Sequence, residues 1–172
     1  MPTNSNRRRD VVMQPFETSH KEGKRQVETL APRQRQLIRQ ALTARFGAFL
    51  KPGESIDLAA EKSDEYVYAK LTVSAADESF QLDVEAAVLA ADQDRIERFE
   101  APEQILELAI EFLKRQTYDF FRSDRDERFH VDWRIYPVDK ATVRFRGQVR
   151  RPELERRADD LLEDEAPELS DD

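Results

Sequence analysis

Residues 66–88 read YVYAKLTVSAADESFQLDVEAAV. Val67, Ala69, Leu71 and Val73 alternate with Tyr66, Tyr68, Lys70 and Thr72. After a break, Phe80, Leu82, Val84, Ala86 and Val88 alternate with Gln81, Asp83 and Glu85. A period of two sends successive side chains to opposite faces of a strand, so each run predicts a strand with one buried and one polar face. The link AADE is short enough for an antiparallel hairpin. Two adjacent antiparallel strands, each half-buried, need a second layer to cover the apolar face, and the rest of the chain must supply it.

Upstream, Ile56, Leu58 and Ala60 alternate with Asp57 and Glu61, which adds a strand before the link KSDE. Before that strand the period changes. Ile38, Leu42, Phe46, Phe49 and Leu50 recur at helical spacing, with Thr29 as a candidate N-cap, Pro32 in the first turn and KPGE at 51–54 as the stop. Downstream, residues 102–122 carry a dense apolar helix pattern that opens on Pro102 and Glu103. A hairpin follows over 130–150. Val131, Trp133 and Ile135 share one predicted inward face with Val143, Phe145 and Val149. Pro152 then opens a last helix, with Leu154, Ala158, Leu161 and Leu162 as its apolar stripe. The predicted order is α-β-β-β-α-β-β-α, an α+β two-layer domain with a mostly antiparallel sheet and helices on one face. Residues 1–28 lack a period and are expected to be a flexible basic tail, 29–163 a single domain, and 164–172 an acidic disordered tail.

Charged residues make up 37% of the chain against 39% hydrophobic, so much of the charge must lie on tails and solvent faces. The net charge of −8 conceals segregation. Residues 32–51 hold five basic side chains and no acid, 52–100 hold four against thirteen, 129–151 six against two, and 152–172 two against ten. Such blocks favour pairing within the chain or with a specific partner over one uniform field. The absence of cysteine excludes a disulfide framework, a thiol nucleophile and a thiolate metal site. No apolar run approaches the ~18 residues of a membrane span. MPTNSNRRRDVVMQPF lacks the apolar core of a secretory signal, so a cytoplasmic location is expected.

The arginine-rich hairpin is the leading candidate surface. Its predicted outward positions are His130, Asp132, Arg134, Tyr136, Arg144, Arg146, Gln148 and Arg150. Arginine beside an aromatic suits nucleic acid. Across all the strands, however, five outward bases (Lys70, Arg134, Arg144, Arg146, Arg150) meet five acids (Asp57, Glu61, Asp83, Glu85, Asp132). Cross-strand ion pairs account for such a face without a ligand. LAPRQRQLIRQAL resembles the first helix of a helix-turn-helix, but strand pattern follows it where a second helix is needed.

DRDERFHVD groups Asp124, Asp126, Glu127, His130 and Asp132 without ligand-loop spacing, so neither a metal nor a cofactor is expected. His130 and Asp132 could pair as a base and its orienter, yet no nucleophile motif or phosphate loop accompanies them. The C-terminal RRADDLLEDEAPELSDD combines Leu161, Leu162 and Leu169 with dense acid, the pattern of a docking segment for a basic partner.

The element order resembles that of the small acidic chaperones of type III secretion, which bind extended partner segments as dimers. The resemblance lies in element order alone and implies a protein-binding role. The expected function is therefore a non-catalytic, chaperone-like or adaptor module that binds another protein, possibly as a homodimer. Its expected contact residues are Arg134, Tyr136, Arg144, Arg146, Arg150, Leu161, Leu162 and Leu169. The alternatives are a nucleic-acid binder using the arginine hairpin and the basic N-terminus, and an enzyme built on His130 and Asp132.

Overall fold

A computed structural model describes the backbone of residues 16–22, 25–93, 102–138 and 141–170, and the side chains of 27–93, 103–138 and 141–162. In chain order the elements are β1 (Phe16–Glu22), β2 (Arg25–Leu30), α1 (Pro32–Phe46), β3 (Glu54–Lys62), β4 (Tyr66–Ala75), β5 (Gln81–Leu89), α2 (Pro102–Arg122), β6 (His130–Val138), β7 (Ala141–Arg150) and α3 (Pro152–Ser170). The strands form one antiparallel sheet of seven in the order β1-β2-β3-β4-β5-β7-β6. The protein has the α+β architecture that the sequence predicts.

The strongest alternation forms the most regular pairing. β3 and β4 stay in register from Glu54↔Ala75 to Lys62↔Val67, and β4 and β5 from Tyr66↔Leu89 to Ser74↔Gln81. Their inward residues Ile56, Leu58, Val67, Leu71, Val73, Leu82 and Val84 are all buried. α1 covers β3 and α2 covers β4 and β5, so both helices lie on one face. Leu42 and Phe46 of α1 and Leu106, Ala109, Phe112 and Leu113 of α2 close the same core. Among the described residues no helix is long and apolar enough to cross a membrane.

The structure departs from the sequence reading at both ends. Residues 16–28, predicted as part of a tail, mostly form the β1–β2 hairpin, which joins the sheet through Glu28↔Lys62 and Thr29↔Glu61. Val27 and Leu30 are buried, which anchors that hairpin. Thr29 is therefore a strand residue, and the N-cap of α1 is Ala31, which makes no side-chain cap bond. Residues 164–170, predicted as disordered, continue α3.

The third departure is in β6, where the register shifts between Val131 and Arg134. β6 advances three residues, from Val131↔Gly147 to Arg134↔Phe145, while β7 advances two. One extra residue makes a β-bulge, and it reverses the faces of everything after it. Tyr136 and Val138 turn inward, and Trp133 and Ile135 are exposed, against the prediction that both are core residues.

Gly147 marks the cause. A Cβ there would lie 2.7 Å from the Phe129 ring and 3.0 Å from Phe145, so the ring occupies the space of the missing side chain. Gly147→Ala is expected to cost about 1–3 kcal/mol by overpacking, read as a lowered denaturation midpoint at unchanged denaturant slope.

Candidate functional site

The polar face of the sheet carries a ladder of paired charges. On β7 every second residue points outward, which places Arg144, Arg146 and Arg150 on that face. Arg144 donates Nε to Asp92 at 2.7 Å and Nη2 to the same carboxylate at 3.0 Å. Arg146 donates Nε to Glu85 at 2.7 Å. Arg150 donates to Glu155 at 2.7 and 3.3 Å and lies 3.5 Å from Asp83. Lys70 lies 3.8 Å from Asp83. The expected pairing is present, with Asp92, from the short turn after β5, as an acid that the alternation did not point to.

Glu85 and Asp83 are buried although the face is open, because the long side chains of their neighbours cover them. Asp83 accepts from Thr72 at 3.2 Å and from Gln81 at 3.0 Å. Glu85 accepts from the Tyr68 hydroxyl and from Arg146. Burial acts to raise the Glu85 carboxyl, but the hydrogen bonds from Arg146 and Tyr68 and the charges of Arg146 and Lys70 hold it below the usual range. Burial, followed by the bond to Glu85 and its charge, pushes the Tyr68 phenol well above its ordinary value. Tyr68 is thus held as a hydrogen-bond donor. Among the described residues the cations of this face are matched by carboxylates within 4 Å, which lowers the field available to steer a polyanion.

Beside the ladder, the edge strand β6 presents apolar surface. The Trp133 indole lies under the Arg146 guanidinium, 4.8 Å from ring centroid to Cζ. Ile135 stands opposite Arg144 with 60% of its surface exposed. This patch was not found by sequence reasoning, because the period placed both residues in the core.

The other predicted contact residues divide. Tyr136 belongs to the core side, 5.7 Å from Phe112 and 6.1 Å from Phe145 between ring centroids, and is corrected from an outward position. Arg134 is exposed at the sheet edge but stands opposite Phe145, off the arginine ladder. Leu161 and Leu162 lie on α3, beyond the Glu155 that pairs with Arg150, and are exposed. The Leu169 side chain lies outside the described residues.

The acidic cluster is dispersed. Asp126 pairs with Arg128 at 3.1 Å, Glu127 with Arg151, and His130 with Asp132 at 3.1 Å. Asp124 and Arg125 both adopt left-handed backbone, φ 56° and 55°, in the turn after α2. That turn sends Arg125 back to Glu54 and separates it from its sequence neighbours.

Comparison with known proteins finds no family model, no curated protein and no solved structure that matches this chain.

Proposed function

We propose that this protein is a non-catalytic protein-binding module that engages its partner through α3. One observation carries the reading: Leu154, Leu161 and Leu162 are 53%, 65% and 63% exposed. They lie at i, i+7 and i+8 with Ala158 between them, on one side of the helix. Glu153, Glu155, Asp159 and Asp160 flank the stripe. An amphipathic helix with an uncovered apolar stripe is the part of a helix-in-groove interaction that one protein contributes. The fitting partner has an apolar groove edged by lysine or arginine. Burying each leucine contributes about 1.5–3 kcal/mol. A cytoplasmic setting belongs to the same proposal.

Weighing against a nucleic-acid role are the carboxylates that hold Arg144, Arg146 and Arg150. Two affinity preparations from the native host, with and without nuclease, should be compared with a Leu161→Glu/Leu162→Glu variant. The expected result is a stoichiometric protein, or a second copy of the chain, that resists nuclease and is lost in the variant while thermal unfolding is unchanged. Retention in the variant, or loss on nuclease treatment alone, would overturn the reading.

A further inference from the structure

No side chain of α3 from Pro152 to Leu162 is buried, so no apolar residue of that stretch anchors the helix to the core. The helix follows β7 after one intervening residue, Arg151. Its start is fixed at one backbone point, where Glu153 donates its N–H to the carbonyl of Glu78 in the β4–β5 turn. That bond satisfies one of the free donors of a helix start. The rest of the attachment is ionic: Arg150 to Glu155, Arg151 to Glu127, and Arg156 to the Glu78 carboxylate. Arg157 pairs within the helix, with Glu153. Among the described residues, no hydrogen bond or ion pair joins α3 beyond Arg156 to another element.

The setting of these pairs decides how firmly they hold. Arg125 and Glu54 form an enclosed pair, with side chains 14% and 4% exposed. The side chains of the three pairs that hold α3 are all more than a third exposed. Exposed pairs contribute little each and are screened by salt. With its leucine stripe in water, α3 has no burial to add to them.

Arg150 stands between two carboxylates. It lies on β7 opposite Gln81. Its Nε and Nη2 donate to Glu155 at 3.3 and 2.7 Å, and its Nη1 lies 3.5 Å from Asp83. Asp83 belongs to the sheet and is buried, with Lys70 as a second cation at 3.8 Å. Glu155 belongs to α3 and is exposed. Releasing Glu155 therefore does not strand Arg150, because Asp83 is already within reach. The buried carboxylate keeps its counter-charge in both positions of the helix, and release costs only solvent-exposed pairs.

We propose that α3 is a hinged arm, held in its observed position by an ionic clamp in which Arg150 is the latch shared between Asp83 of the sheet and Glu155 of the helix. The hinge lies at Arg151–Glu153. With the clamp closed the leucine stripe keeps one direction relative to the sheet. With the clamp open Arg150 rests on Asp83 and the stripe sweeps a wider range. A basic-rimmed partner of α3, as proposed above, takes Glu155 from Arg150 and so unlatches the arm. The mounting does not depend on that partner, and none enters the measurement, so the two readings can fail separately.

The chain has no cysteine, so Gln40→Cys on α1 and Asp160→Cys on α3 accept one spin label each on the full-length protein. Pulsed dipolar spectroscopy then gives the distance distribution between domain and arm. The expected result is one narrow distribution at about 0.01 M salt, where screening reaches only beyond ~30 Å, and a broad one at about 1 M, where it sets in at ~3 Å. Arg150→Gln and Glu155→Gln should each broaden it already at low salt. Asp83→Asn should do the reverse and keep it narrow to higher salt, because release then leaves Arg150 without a carboxylate. A distribution that neither salt nor the Arg150 and Glu155 substitutions change would overturn the clamp, and so would a broad one in the wild type at low salt. An unchanged salt midpoint in Asp83→Asn would overturn the sharing of Arg150.

Discussion

Arg125→Ala is expected to cost about 3–5 kcal/mol. The guanidinium donates to both carboxylate oxygens of Glu54, at 2.6 and 2.7 Å, and to the Phe49 carbonyl at 2.5 Å. It lies between the Phe80 and Phe121 rings, 5.2 and 5.1 Å from their centroids. One side chain thereby ties together the loop after α1, the start of β3, the end of α2 and the start of β5. Glu54 is 4% exposed at its side chain, so removing the arginine leaves a carboxylate buried without a counter-charge.

The pH dependence gives the sign of this effect. In the wild type, burial acts to raise Glu54, but the Arg125 hydrogen bonds, the Lys51 backbone N–H and both charges outweigh it and hold the carboxyl below its ordinary value. Its stabilisation is present above the unfolded-state value and is lost as pH falls through the folded one. Without Arg125 the burial effect dominates and Glu54 moves up. The folded variant then binds more protons than its unfolded chain and gains relative stability on acidification. The gap between wild type and Arg125→Ala should therefore be widest at neutral pH and narrow toward pH 4. Chemical denaturation across that range measures it. A gap that does not change with pH would remove the charge argument and leave only lost packing. Arg125→Met combined with Glu54→Met should recover much of the loss, because no buried charge remains.

The second large effect is a contrast across one strand pair. Phe145→Ala should cost about 3–5 kcal/mol, since the ring is buried and packs edge-on against Phe112 at 5.5 Å. Trp133→Ala, in the bulge one residue before Arg134, the strand partner of Phe145, should cost no more than about 1 kcal/mol, chiefly the stacking with Arg146. Intrinsic fluorescence gives an independent reading, because Trp133 is the protein's single tryptophan and should show a solvent-exposed emission maximum. A blue-shifted emission together with a large loss in Trp133→Ala would mean that the bulge is absent and that β6 keeps strict alternation.

Residues 54–89 show how far the sequence alone reaches. Their alternation predicts three antiparallel strands, the inward set from Ile56 to Val88, and a helical layer on that side, and each is present. Burying one face of a strand imposes a period that survives in the residues themselves. The same logic located α1, α2 and α3 and the pairing of Arg144, Arg146 and Arg150 with acids.

The β1–β2 hairpin was not legible. FETSHKE and RQVETL lack a sustained apolar period, and their strand state comes from pairing with each other and with the end of β3. Backbone pairing of that kind leaves little trace in side-chain pattern. The faces of β6 were decided by tertiary structure as well. HVDWRI at 130–135 alternates strictly, and that period alone turns Trp133 inward, while Tyr136 and Val138 after it fall on the other phase. Gly147 admits the Phe129 ring, and Phe112 and Phe145 draw Tyr136 to the core side. Both inward contacts fit one strand only if an extra residue is looped out between them. A period records which residues alternate, whereas the face that each alternation serves is set by the side chains waiting on the neighbouring elements.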